Sequence, residues 1–437
     1  MHSATPSGVE AISRDLARNA IGLYAAYAGN ILAPIVTIPY LARVLGPEAW
    51  GTLAAAQAFG FYLYGVVNYG FDWSATREVA RYRVSQDNLA EIVRGMLGAR
   101  LLLVAGACVS CALLQGVLPN LGSHRLLFWA AIFEALARSV TPMWYFQGLE
   151  RMRTFAMVDI PTKALAIGGV FLLVQKPADA WRVPAIFGVG LLFSAVVNLT
   201  LIYREVPLLL PKLAHSLSML RKGFGIFLLS VGGVLHTSGN AFILTLFALP
   251  RNVGYFSGAE KLVIGVTGLI VPLNQALFVR ASRAVHAEPS EAPRYFRVSI
   301  ALLMAMGLGI SVAVFISAPW LVTLALGREF LPALPALRIL ACVPFLVALN
   351  NALATQGLLA RGRDFPVAIA LWSAAIVNFA GAAVLAGKYQ HVGMSLAVVL
   401  SHLTATIILC GVFYVFRGQN SGALAQADPH RDVSGED

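Results

Sequence analysis

Long apolar runs alternate with short polar connections along almost the whole chain. A bilayer's hydrocarbon is crossed by about 20 apolar residues in a helix. Twelve runs reach that length: Asn19–Ala42, Trp50–Phe71, Leu97–Leu118, Leu126–Gln147, Phe155–Val174, Pro184–Tyr203, Phe224–Leu249, Val253–Val279, Val298–Leu326, Leu331–Leu359, Phe365–Ala386 and Val392–Phe416. The pattern predicts an all-α, polytopic membrane protein of about twelve spans. The first run is interrupted by Pro34 and Pro39 and ends at Arg43 and the turn-forming pair Gly46-Pro47. Proline removes a backbone donor and bends a helix, which a membrane tolerates where the freed carbonyl faces protein or a wet cavity. A bent first span that presents a cation at its end is therefore expected.

An internal repeat divides the runs into two sets of six. Pro47-Glu48-Ala49-Trp50-Gly51 after the first run matches Pro250-Arg251-Asn252-Val253-Gly254 after the seventh, both reading P-x-x-x-G. Thr76-Arg77 meets Val279-Arg280 at the same offset, and Gln147-Gly148-Leu149 meets Gln356-Gly357-Leu358. Three matches in order predict two six-helix lobes, 19–203 and 224–416. A short segment 1–18, a linker 204–223 and a polar, disordered tail 417–437 complete the division. An even number of spans separates the repeats, so they share one orientation, an arrangement common in transporters with a mid-membrane substrate site.

Composition agrees: 58% of the 437 residues are hydrophobic and 12% charged, against about 25% charged in an ordinary globular domain. The net charge of +11 resides in short arginine tracts between runs, so it reads as contact with an anionic leaflet rather than with nucleic acid. Arginines and lysines crowd alternate connections (Arg77, Arg81, Arg83 and Arg94; Arg151 and Arg153; Arg361 and Arg363), and the other connections hold few. The positive-inside rule then places both termini in the cytoplasm. The N-terminus lacks the features of a cleaved signal peptide, so the first span is expected to remain as an anchor. Every connection is too short for a catalytic domain of about 50 residues or more, and no phosphate-loop or zinc-helix motif occurs. No enzymatic activity, metal or cofactor is expected. Cys108 and Cys111 form a C-x-x-C inside an apolar run, where packing is the expected role.

Ionisable groups inside spans are costly and mark function. Glu134 and Arg138 stand four apart in the fourth span, Asp159 and Lys163 four apart in the fifth. Either pair could equally be an intrahelical ion pair. Glu260, Lys261, Thr267 and Asn274 lie in the eighth span, His236 and Asn240 in the seventh, Arg338, Asn350 and Asn351 in the tenth. Arg338 has snorkelling to the interface as its alternative, and His236 and His402 have packing. Arg43, Arg138, Lys261, Arg338 and Asn240 are the candidate substrate-binding residues, since arginine grips phosphate oxygens bidentately. Glu134, Asp159, Glu260 and His236 are the candidates for ion coupling. Tyr40, Tyr64, Trp144, Tyr145 and Tyr255 could line a sugar cavity, although an interfacial aromatic belt is the expected place for Trp144 and Tyr145.

The segments Pro39–Gly51 (PYLARVLGPEAWG), Tyr69–Arg81 (YGFDWSATREVAR) and Trp144–Glu150 (WYFQGLE) resemble the O-antigen and exopolysaccharide flippases of the multidrug/oligosaccharidyl-lipid/polysaccharide exporter superfamily. The resemblance implies two lobes that rock about a central cavity, and transfer of an undecaprenyl-diphosphate-linked oligosaccharide across a bacterial inner membrane. It implies a role for Arg43 at cavity or gate, and fits the fourteen-helix peptidoglycan-precursor flippases less well. A monomer is expected to suffice, loosely associated with a polysaccharide polymerase and chain-length proteins. A cation-coupled drug exporter, a membrane-embedded glycosyltransferase or polymerase, and a scaffolding subunit are the other classes considered.

Overall fold

The computed structural model describes residues 8–117, 124–237, 239–287 and 292–426. Among them every regular element is helical. Breaks within the apolar runs decide the architecture. Helix α1 (Gly8–Asn68) is two helices joined at Gly46, whose φ of 67° is one an L side chain resists. Pro47 opens the second piece, where its missing N–H is no loss. The first two expected spans thus meet at the expected turn. Helices α2 (Phe71–Arg81) and α3 (Gln86–Val117) follow. The fourth span is split at Thr141-Pro142 into α4 (Arg125–Val140) and α5 (Met143–Gly148). Helices α6 (Met152–Leu173) and α7 (Arg182–Glu205) are the fifth and sixth.

The later runs are more broken than the sequence suggests. In place of a continuous seventh span stand α8 (Leu213–Thr237) and the short α9 (Asn240–Thr245), preceded by Gly239 at φ 88°. The eighth comprises α10 (Pro250–Thr267) and α11 (Ile270–Ala287). Its break at Gly268-Leu269 comes just before Pro272, in the first turn of α11, where a proline is tolerated. Helix α12 (Ala292–Leu321) continues into a π-helical turn, Val322–Leu326, and a 3₁₀ segment, Arg328–Ala333. Helices α13 (Leu334–Leu340) and α14 (Val343–Asn351) with a π-helical turn, Ala352–Leu358, make the tenth. Helix α15 (Asp364–Gln426) is two helices meeting at Gln390, between the eleventh and twelfth runs, and it reaches Gln426 within the segment expected to be disordered. Seven stretches among the described residues are long and apolar enough to cross a membrane. The helical passages as a whole are consistent with twelve.

The chain divides into two compact units. One comprises Met1–Ala259 with Pro319–Leu334, the other Glu260–Ala318 with Pro335–Asp437. In the first unit α1 packs on α4, α6 and α9, α4 and α6 pack on α7, α3 on α8, and α2 on α5. Its largest apolar cluster gathers Phe71, Val79, Met96, Trp144, Phe146 and Phe155. In the second unit Ile270, Leu277, Leu303, Ala348 and Ala352 form one cluster, and Leu353, Leu358, Val367, Ala370 and Leu409 another.

Helices in lipid gain little from apolar burial and associate instead through close packing at small residues. The repeated P-x-x-x-G turns are such a place, both inside the first unit. A Cβ on Gly51 would fall on the Pro250 carbonyl oxygen and the Gly254 nitrogen; one on Gly254 would fall on the Pro47 carbonyl oxygen. The two copies of the motif therefore interlock backbone to backbone, and only glycine fits. Gly51→Val or Gly254→Val should destabilise the purified protein by at least the ~1–3 kcal/mol typical of overpacking. Gly106→Ala, where a Cβ meets nothing within 4 Å, should be neutral or stabilising. Thermal unfolding in detergent checks this ordering; equal melting temperatures for all three variants would contradict it.

Candidate functional site

The split in the fourth span creates a polar centre in the first unit. The helix breaks at Pro142, and the Tyr145 N–H donates to the Pro142 carbonyl at 3.2 Å rather than to Thr141, so the Thr141 carbonyl lacks its helical donor. Arg100, on α3 and 1% exposed, supplies a replacement: its Nη1 donates to Thr141 O at 3.1 Å. Its Nη2 donates to Asn68 Oδ1 and Asp72 Oδ1, each at 3.2 Å. Asn68 Nδ2 and the Tyr64 hydroxyl donate to Asp72 Oδ2 at 3.0 and 3.1 Å. The guanidinium also lies 6.0 Å from the Trp144 ring centroid. One arginine thus ties together α1, α2, α3 and the broken α4–α5 span.

A second polar group adjoins the first along α1. Arg138 Nη2 donates to Glu134 Oε1 at 3.2 Å, and Gln57 Nε2 approaches Glu134 Oε2 at 3.4 Å. A cavity of about 10 Å³ is lined by Gln57, Gly60, Phe61, Tyr64, Glu134 and Arg138, with Ala131 and Ala135. That is room for about one water, or an ion of similar size, and not for a sugar. The Arg138 side chain is 35% exposed and Glu134 12%, so the cation reaches outward while its carboxylate stays enclosed. Arg138 also lies 5.5 Å from the Phe61 ring centroid.

The other sequence-selected residues fall in separate places. Asp159 is buried and paired with Lys163 at 2.6 Å, the intrahelical arrangement weighed for it. Arg43 is exposed, and its Nη2 donates to the Leu324 carbonyl oxygen on the π-helical turn, within the same unit. Asn240 is buried at the start of α9, which packs on α1. Arg338, in the second unit, is exposed and lies 5.7 Å from the Phe315 ring centroid. Glu260 and Lys261 are half-buried on α10. The side chain of His236 lies outside the described residues. Trp144 and Tyr145 are each 1% exposed, so the aromatic-belt expectation for them is corrected: the break at Pro142 turns both into the core, T-shaped to each other at 6.0 Å. Tyr40 donates to the Val174 carbonyl at 2.7 Å and packs on Phe171.

The sequence reading missed Arg100, Asp72, Asn68 and Gln57 as a group. A signal existed: Arg100 is a lone cation inside an apolar run, and Asp72 sits in the YGFDW segment. In the second unit Gln356 Nε2 donates to both Asn274 O and Asn274 Oδ1 at 2.9 Å. Thr406 Oγ1 donates to Asn350 Oδ1 at 2.8 Å. Asn274 and Asn350, picked out as intramembrane polar residues, are thereby satisfied within that unit.

Residues 16–279 match the model of a family described as polysaccharide biosynthesis protein. The chain belongs to that family. Two relatives are "Putative O-antigen transporter" proteins. The one from Escherichia coli (strain K12) is 25% identical over 399 residues, 90% of this chain and 95% of its own. The one from Shigella dysenteriae is 26% identical over 403 residues, 90% and 98%. Among solved structures, the lipid II flippase MurJ in its inward closed conformation aligns with a TM-score of 0.69 at 12% identity, covering 96% of this chain and 93% of its own. An inward-facing multidrug resistance MATE family transporter of the MOP superfamily aligns at 0.63 and 13% identity, covering 88% and 96%. The family member is thus an all-α polytopic protein with a transporter fold. As folds, this chain and MurJ agree over nearly all of both chains.

Arg100 and Asp72 should behave as one unit. Arg100→Leu and Asp72→Leu should each destabilise the purified protein, about 1–3 kcal/mol being typical for removing one partner of a hydrogen-bonded group. The double variant should lose clearly less than the sum, with a coupling of about 1–3 kcal/mol. Additive losses in thermal or denaturant unfolding would show that the two residues act separately.

Proposed function

We propose that this protein is a flippase: it moves a polyprenyl-diphosphate-linked oligosaccharide across the bacterial inner membrane by alternating access, for O-antigen or exopolysaccharide assembly. The observation that carries the reading is the end-to-end relation to putative O-antigen transporters, over 90% of this chain. Family membership and the transporter fold support it. The physical need is plain, since an unpaired charged group in an apolar medium costs many kcal/mol. A diphosphate with sugars crosses only where protein supplies polar partners, while the polyprenyl tail stays in lipid. Both termini lie in the cytoplasm, as the arginine distribution supports.

Arg43, Arg138, Lys261, Arg338 and Asn240 are the residues we assign to the substrate. Arg138 is the best placed of those in the first unit, partly exposed and backed by an enclosed carboxylate. Among Glu134, Asp159, Glu260 and His236, the geometry favours Glu134 for ion coupling. It borders a cavity sized for one water or cation, whereas Asp159 is buried against its own lysine. A monomer suffices for this mechanism, with polymerase and chain-length proteins as neighbours in assembly.

Complementation of a strain that lacks its own flippase tests the assignment. The wild-type gene should restore surface polysaccharide; Arg138→Ala and Arg338→Ala should each lower it about tenfold at equal expression, equivalent to about 1.4 kcal/mol of lost grip. Undiminished polysaccharide from both variants removes the cationic grip. Failure of the wild type, with deletion of the gene in its own host causing sensitivity to cationic dyes and no loss of polysaccharide, points to drug export instead.

A further inference from the structure

We propose that the first unit carries a separate binding site for an anionic sugar residue, of the hexuronate kind, at the end of its helices that bears Arg43. The site is a cavity of about 290 Å³, whose lining includes Thr52, His124, Arg125, Leu127, Pro177 and Trp181. Small-molecule pockets begin at about 300 Å³, so this one suits a single sugar ring rather than an oligosaccharide. It is well removed in composition from the 10 Å³ cavity at Glu134, with which it shares no lining residue.

The lining has two chemistries. Arg125 is exposed and has no ion-pair or hydrogen-bond partner among the described residues. The carboxylate of the adjoining loop is already engaged: Asp179 is buried, accepts the backbone N–H of Gln175 and Lys176 at 3.2 and 3.3 Å, and pairs with Arg182 at 3.2 Å. That loop is thereby fixed in place, and its negative charge is not offered to Arg125. A guanidinium left in this state can donate two parallel hydrogen bonds to a carboxylate or phosphate. His124 beside it adds a second nitrogen donor.

The remaining wall is apolar and aromatic: Leu127, Pro177, Ala49 and the half-buried ring of Trp181. The Thr52 hydroxyl donates to the Glu48 carbonyl at 3.0 Å, which leaves its oxygen lone pairs free to accept. Inorganic phosphate would use Arg125 and leave the aromatic wall idle. An acyl chain would use the wall and strand the cation. A sugar acid uses both, its ring face on Trp181, a hydroxyl to Thr52 and its carboxylate on Arg125. This binding is a property of the folded chain and goes beyond the transport reading: it stands or falls in a soluble-ligand titration whether or not the protein flips lipid.

The test is tryptophan fluorescence of the full chain in nanodiscs of zwitterionic lipid, titrated with glucuronate, glucose and inorganic phosphate. Glucuronate should give a saturable change in the millimolar range that disappears in Trp181→Phe. The affinity should fall about tenfold or more in Arg125→Gln, about 1.4 kcal/mol or more, and less in Arg125→Lys. Both Arg125 variants should melt with the wild type, because the side chain is exposed. Glucose and phosphate should each bind about tenfold more weakly than glucuronate, by the same conversion. No saturable response to glucuronate, or an equal one in Arg125→Gln, overturns the proposal. Equal binding of phosphate overturns the sugar part, and loss of glucuronate binding in phosphatidylglycerol nanodiscs reassigns the cavity to a lipid headgroup.

Discussion

A break in a membrane span leaves a carbonyl without its donor, and in the first unit Arg100 replaces the donor that Thr141 loses when the Tyr145 N–H turns to Pro142. The split at Thr141-Pro142 frees one carbonyl oxygen, and the buried guanidinium takes it at 3.1 Å while holding Asn68 and Asp72. Removing the arginine would strand the Thr141 carbonyl and leave Asp72 with only Asn68 and Tyr64 as donors. An unpaired carbonyl costs several kcal/mol in hydrocarbon. The turn of Trp144 and Tyr145 into the core depends on the same break. So does the position of Arg138, the last-turn residue of α4, whose carbonyl accepts from Thr141 at 3.3 Å. The structural arginine and the partly exposed one are thus set by a single kink.

Close approach of backbone to backbone is the other recurring device. Gly51 and Gly254 occupy equivalent places in the two repeats, and each sits against the other repeat's proline turn. On the first of these turns, Arg43 reaches the Leu324 carbonyl with its guanidinium. The charge at the end of the first span is therefore tethered, not loose.

Much of the fold was legible because bilayer chemistry writes in long words. Apolar length gave the spans, and Gly46-Pro47 located the turn between the first two. The P-x-x-x-G repeat turned out to be a physical contact as well as a likeness. Less of the polar centre could be read. The pairs Glu134–Arg138 and Asp159–Lys163 follow from helical spacing within one segment. Arg100, Asp72 and Asn68 come together from three helices, and no periodicity in one helix announces a partner in another. For Trp144 and Tyr145 the reason is related: the break at Pro142 packs both rings among residues of other helices, which spacing along one helix does not reveal.

Polar groups within this helical protein are what would let a charged lipid-linked saccharide change leaflets. The most direct test is reconstitution into sealed vesicles with a polyprenyl-diphosphate saccharide tagged by a fluorophore on the sugar, followed by a membrane-impermeant reductant. The account predicts that the reducible fluorescence rises from the outer-leaflet share to nearly the whole, and that protein-free vesicles stay at the outer-leaflet share. A reducible fraction that is the same with and without the protein, in vesicles shown to be sealed and to hold the folded chain, would contradict it.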